Sequence, residues 1–230
     1  KSRILYGFDK AKQAIRKNKC AVLVEGQMDL LASHQAGWAN TVAVSGTAFT
    51  PEHAAQLRRM TDNLVIALDP DEAGIKAAAR AARAALRGAL NVKVAELPAG
   101  LDPADLIRKE GADAWRLAIR TSKDIIAFLL DVLERHAKSK DAFRRSVESI
   151  VLPFLADVAS PIARDSYIRE IASRLNVSEH SVGEALARIP RAREDEIASG
   201  IESEPSHTSV KSENFGRVKQ AFAMFLWQDS

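Results

Sequence analysis

Four short apolar runs separated by helical stretches constrain this chain most: Ala21-Val22-Leu23-Val24, Thr41-Val42-Ala43-Val44, Leu64-Val65-Ile66-Ala67-Leu68 and Val92-Lys93-Val94-Ala95. Their largely continuous apolar character predicts strands covered on both faces, hence a parallel sheet flanked by helices. Three acidic signatures fall where strands should end: Glu25-Gly26-Gln27-Met28-Asp29, Asp69-Pro70-Asp71-Glu72-Ala73-Gly74, and Asp102-Pro103-Ala104-Asp105. The strand C-termini of a parallel sheet open into one crevice, where carboxylates from separate strands can meet around a divalent cation.

The intervening helices carry their own punctuation. A helix from 28 to 36 stops at Gly37, and Thr50-Pro51-Glu52 supplies an N-cap, a proline at the first helical position and a first-turn acid. A helix over 72–87 places Ala78, Ala81, Ala82 and Ala85 on one face and ends at Gly88. Beyond Gly111 the β signal vanishes, and residues 113–119, 124–137, 141–158, 162–175 and 178–189 read as helices, with Pro153 kinking or splitting one of them. The expected organisation is a tail of an upstream unit (1–18), an α/β domain (19–112), a helical subdomain (113–190), a Ser/Glu/Arg-rich linker (191–214) and the truncated start of a further domain (215–230). The absence of an initiating Met fits a piece of a longer protein.

Composition removes several classes. One cysteine, Cys20, in a predicted strand, excludes a disulfide framework and a multi-cysteine zinc site in these residues, and fits a cytoplasmic protein. No stretch approaches the roughly 20 apolar residues of a membrane helix. The net charge of +3 is compatible with a nucleic-acid partner without requiring one.

Each acidic signature has a bland reading as well as a chemical one. Glu25 can be a turn acid and Asp29 a helix-start acid, while Gly26 allows close approach of backbone or metal. Asp69 and Asp71, around a stiffening Pro70, can direct two carboxylates to one cation, with Gly74 freeing space behind them, or Asp71 can cap a helix. Asp102 before Pro103 reads on its own as an N-cap, with Asp105 one turn on. Three such groups in order at strand ends favour a magnesium site, because a bound cation removes the repulsion among gathered carboxylates. Ser45-Gly46-Thr47 follows the second run and can offer backbone N–H groups to a phosphate. Lys76, Arg80, Arg83 and Arg87 form a basic stripe, either a solvated face or a contact for a nucleic-acid backbone. Trp38, Trp115, Phe128 and Phe154 read as packing residues.

The order Glu25-Gly26-x-x-Asp29, Ser45-Gly46-Thr47-Ala48-Phe49-Thr50 with His53, then Asp69-x-Asp71-x-Ala73-Gly74, resembles the Toprim domain of bacterial DnaG-type DNA primases. Leu5-Tyr6-Gly7 ahead of it, and Asp102-Pro103 leading into Leu106-Ile107-Arg108-Lys109-Glu110-Gly111, are similar to primase segments. The resemblance implies a Toprim-type sheet followed by an all-helical subdomain, and an RNA polymerase that makes primers from ribonucleoside triphosphates on single-stranded DNA. It assigns Glu25 a catalytic acid/base role and counts it among the residues of the metal site. It gives Asp69 and Asp71 the metal ions (Mg²⁺, with Mn²⁺ able to substitute), leaves the third ligand to Asp102 or Asp105, and makes Asp29, Gly26 and Gly74 supporting residues. Lys1, Lys76, Arg80 and the Ser45-Gly46-Thr47 loop would face template or nucleotide. Zn²⁺ would belong to an N-terminal domain outside this chain, and the replicative helicase would bind a C-terminal domain of which 215–230 is the start. A bacterial cytoplasmic, replisome-associated setting follows from the same resemblance. The chain departs from the family at Pro70, where glycine is usual, and at Ala104, where a second acid is usual.

Other readings stay open at this level. A Toprim topoisomerase needs a tyrosine nucleophile, for which only Tyr6 and Tyr167 exist. A Toprim nuclease, a phospho-receiver domain, or a non-catalytic metal-binding interaction module would also gather acids at strand ends.

Overall fold

The computed structural model describes residues 4–67, 72–98 and 100–189. Lys1, Asp69, Asp71, the side chain of Lys76 and the expected linker and terminal segment lie outside the described residues.

The chain alternates α1 (Phe8–Asn18), β1 (Ala21–Val24), α2 (Gln27–Gln35), β2 (Thr41–Ala43), α3 (Pro51–Arg58), β3 (Asn63–Ile66), α4 (Glu72–Arg87) and β4 (Asn91–Val94). It continues through α5 (Pro103–Glu110), α6 (Ala112–Arg120), β5 (Lys123–Asp124) and α7 (Ile125–His136). The sheet order is β2-β1-β3-β4-β5, with the first four strands parallel. β1 is buried along its whole length. β4 instead alternates, because Lys93 stands between buried Val92 and Val94.

β5 corrects the expectation that strands end with β4. Lys123 and Asp124 pair antiparallel with Val94 and Lys93. Two polar residues carry no apolar run, so nothing in their pattern marks them as a strand.

Side chains on the two sheet faces form two apolar clusters. One holds Leu23, Leu64, Ile66, Leu57 and the α4 alanines against α1, α3 and α7. The other holds Val22, Val24, Val65 and Leu106 around Trp115, which is fully buried. Phe128 and Phe154 are also buried, as expected of packing residues. Ala81, Ala82 and Ala85 are nearly inaccessible, so α4 lies close on the sheet. Gly88 allows α3 equally close, since a Cβ there would meet the Ala54 Cβ at 2.8 Å. The N-terminal segment is knitted into the same body: Ala11 and Ile15 are fully buried, and Tyr6 exchanges backbone hydrogen bonds with Ala43. Cys20 precedes β1 and is only half-buried, which corrects its placement inside the strand.

The helical part continues as α8 (Lys140–Ser146), a π-helical turn (Val147–Val151), α9 (Leu152–Ala156), α10 (Pro161–Leu175) and α11 (Glu179–Ala187). The π turn sits just ahead of Pro153, and the Leu152 N–H donates to the Val147 carbonyl five residues back. Proline cannot donate within a helix, and a local widening accommodates it without a break. Pro153 thus alters the helix register.

Candidate active site

β1 and β3 lie side by side and parallel, with Leu23 opposite Ile66. The chain leaves β1 for α2 on one sheet face and reaches α4 on the other after β3. That is a topological switch point, where connections diverge and a crevice opens at the strand C-termini. Glu25 stands at this point, half-buried, directly after β1.

The turn around Glu25 is fixed from both sides. The Ser45 N–H donates to the Glu25 carbonyl at 2.9 Å, and Gln27 Nε2 donates to Ser45 Oγ at 2.8 Å. Ser45 and Gly46 both adopt positive φ, 51° and 74°, and Thr47 Oγ1 donates to the Val44 carbonyl at 2.8 Å. The Ser45 amide is therefore engaged by Glu25, which narrows the phosphate-binding reading of this loop to Gly46 and Thr47.

Asp29 explains the spacing of the first signature. Its Oδ2 accepts from the Gly26 N–H at 2.9 Å and its Oδ1 from the Ala104 N–H at 3.2 Å. One buried carboxylate thus joins the first turns of α2 and α5, where helix dipoles favour negative charge. A Cβ on Gly26 would lie 2.9 Å from that Oδ2, so a side chain there would displace Asp29. Burial pushes the Asp29 carboxyl above its usual range; the two N–H groups oppose this, and nearby Asp102 and Asp105 add to it. Replacement Asp29→Asn puts an amide NH₂ against one of two N–H donors. It is expected to cost about 1–2 kcal/mol in urea unfolding.

The two candidates for a third ligand differ. Asp102 caps α5, its Oδ1 accepting from the Asp105 N–H at 2.6 Å. Asp105 turns to the cations of its own helix, Arg108 at 2.6 Å and Lys109 at 3.2 Å. Arg108 first, then Lys109, hold the Asp105 carboxyl below the usual range. Gly74 is buried in the first turn of α4, and Arg80 is exposed. Among the described residues no three His, Cys, Asp or Glu side chains are grouped to hold a metal ion.

At Arg83 and Arg87 the basic stripe on α4 is paired within the molecule. Arg83 and Arg87 both donate to Asp157, at 2.5 and 2.7 Å, and the Asp157 side chain is only 5% exposed. Asp157 follows α9, so this clamp fastens the helical part to α4. Asp157 was not singled out by sequence because its partners lie about seventy positions earlier.

Two further groups bear on the chemistry. The Tyr167 hydroxyl donates to Asp124 Oδ2 at 2.7 Å. Burial, then Asp124, push this phenol well above its usual range, opposite to what a nucleophile needs. The sheet order matches that of flavodoxin-like receivers, but β5 runs antiparallel and Lys123 is paired with Glu96 and Asp131. His53 is fully buried, with its N–H donating to Thr50 Oγ1 and its Nδ1 accepting from the Thr50 N–H at 3.2 Å. Burial lowers its pKa. A depressed folded-state pKa means the unfolded chain binds the proton first, so stability falls as pH drops through about 6.5. The urea midpoint is expected to decline between pH 7.5 and 5.5, and His53→Asn to flatten that decline.

The Toprim-like family matches residues 22–107, and the DnaB-helicase binding domain of primase matches residues 144–180. A DNA primase of Halalkalibacterium halodurans is 34% identical over 211 residues, covering 87% of this chain and 34% of that protein. A DNA primase of Staphylococcus aureus is 32% identical over 234 residues, covering 98% and 38%. The chain thus spans about a third of the length of these relatives. Among solved structures, a DNA primase domain from Pseudomonas aeruginosa superposes with a TM-score of 0.72 at 28% identity, covering 81% of this chain and 60% of that one. A DnaG primase catalytic domain bound to ssDNA superposes with a TM-score of 0.67 at 30% identity, covering 78% and 58%.

Proposed function

The chain belongs to the DnaG-type DNA primase family as a segment of its catalytic core, and on that footing we propose that it contributes the metal-binding half of a primer-synthesising active site. The observation that carries the reading is Glu25 at the β1/β3 switch point. In sequence, Asp69 and Asp71 follow β3, the strand paired parallel to β1, as Glu25 follows β1 itself.

The donors are all carboxylate oxygens, which suit a hard cation such as Mg²⁺. Asp69, Asp71 and Asp102 would hold divalent ions, which would neutralise triphosphate charge as a 3′-hydroxyl attacks the α-phosphorus and the α–β phosphoanhydride bond breaks to release pyrophosphate. The ion pairs of Asp105 with Arg108 and Lys109 favour Asp102 over it as the third ligand. Glu25 is assigned the proton at the attacking hydroxyl, and its backbone is held for that purpose by Ser45. Asp29 ties the Glu25 turn to α5, and so sets Glu25 and Asp102 relative to each other. Gly46 and Thr47 offer backbone N–H groups to nucleotide phosphates, and Arg80 an exposed cation to the template. By the same resemblance the whole protein would engage single-stranded DNA, ribonucleoside triphosphates and the replicative helicase. The DnaB-binding match at 144–180 supports a helicase contact in the helical part, alongside the expected one beyond 215.

The test is template-directed primer synthesis by the full-length protein carrying Glu25→Gln. The reading predicts a fall in kcat of at least about a hundredfold with little change in nucleotide KM. An unchanged kcat would remove Glu25 from the chemistry.

A further inference from the structure

The opposite end of the sheet carries a second concave site. A cavity of about 570 Å³ opens where the strands begin, away from the Glu25 crevice, and falls within the size range of small-molecule pockets. Lys19, Lys93 and Arg120 line it, and no aspartate or glutamate does. All three cations are exposed, and among the described residues none is ion-paired.

The remaining lining narrows the ligand. Trp38, half-buried, gives an aromatic wall beside the cations. Asn40 is 1% exposed, and its Nδ2 donates to the Cys20 carbonyl at 2.9 Å, which fixes the amide orientation. Its Oδ1 is left as a buried acceptor without a partner among the described residues. That oxygen has almost no accessible surface, so Asn40 stiffens the cavity wall rather than meeting a ligand. Three unpaired cations call for a phosphate-bearing anion and the indole for a flat ring.

We propose that this cavity is a nucleoside-phosphate site, separate from the crevice assigned to catalysis. Nucleotide would enter with its phosphates toward Lys93 and Arg120 and its base toward Trp38. Occupancy would not require a divalent ion, because the protein supplies the cations itself.

The test is a tryptophan-fluorescence titration of the purified protein with ATP in buffer containing EDTA, which silences the proposed metal site. Saturable quenching is expected, at least tenfold weaker in Lys93→Ala/Arg120→Ala and unchanged in Asp69→Ala/Asp71→Ala. Trp38→Phe should lose the quench while retaining ATP in equilibrium dialysis. Thermal melts of each variant check that the fold persists. Absence of saturable binding, or binding that survives Lys93→Ala/Arg120→Ala, would overturn the site. So would equal affinity for inorganic tripolyphosphate, which would mark a simple anion patch. Competition by single-stranded DNA at tenfold lower concentration than ATP would overturn the assignment in favour of nucleic acid. A loss shared with Asp69→Ala/Asp71→Ala would return the nucleotide to the catalytic crevice.

Discussion

Replacing Asp69 and Asp71 together by alanine is expected to lower template-directed primer synthesis by the full-length protein about a thousandfold or more. A thousandfold is about 4 kcal/mol of transition-state stabilisation, which is within what bound divalent cations supply at a phosphoryl centre. In sequence the two residues lie between β3 and α4, and β3 is the central strand, paired to β1, which Glu25 directly follows. That position in the chain is what supports them as metal ligands. The loss should appear in kcat and in the Mn²⁺ concentration needed for activity, while the urea midpoint holds, because removing gathered like charges does not weaken the fold. Full activity in this variant would contradict the assignment of the metal ligands.

Asp157→Ala carries the second large effect, here on stability. Asp157 is nearly inaccessible and takes a guanidinium hydrogen bond on each oxygen, from Arg83 and Arg87. Those arginines are 40% and 31% exposed, so water can partly reclaim them once the carboxylate is gone. The cost is then expected at about 2 kcal/mol, below the 3–5 kcal/mol of a fully buried pair broken on one side. Equilibrium urea unfolding measures it. The clamp should also behave as one unit: in the triple variant with Arg83→Ala and Arg87→Ala, the loss should be well short of the sum of the separate losses. Additive losses would show that the two contacts are independent surface pairs.

The parts of this molecule that were readable before any coordinates were those written in local pattern. Continuous apolar runs gave β1 and β3, the alanine face gave α4, and Thr50-Pro51 and Asp102-Pro103 gave the starts of α3 and α5. The position of Glu25 at the end of β1 was legible because it directly follows the apolar run 21–24. What could not be read depends on partners distant in sequence. β5 is a strand only because Lys123 and Asp124 meet β4, and Arg83 and Arg87 leave the solvated face only because Asp157 reaches them. Sequence leaves Asp105 beside Asp102 as a candidate ligand, and Arg108 and Lys109, three and four residues on, are its legible helical partners. The contact of Asp29 with the Ala104 amide is illegible in sequence, because it joins two helix starts 75 positions apart.

The most direct test is a crystal of the protein soaked in Mn²⁺ and measured for anomalous scattering. The account predicts manganese between Asp69, Asp71 and Asp102 beside Glu25, with Asp105 still on Arg108 and Lys109. Manganese held by Asp105, or none in the crevice at a concentration that supports primer synthesis, would contradict it.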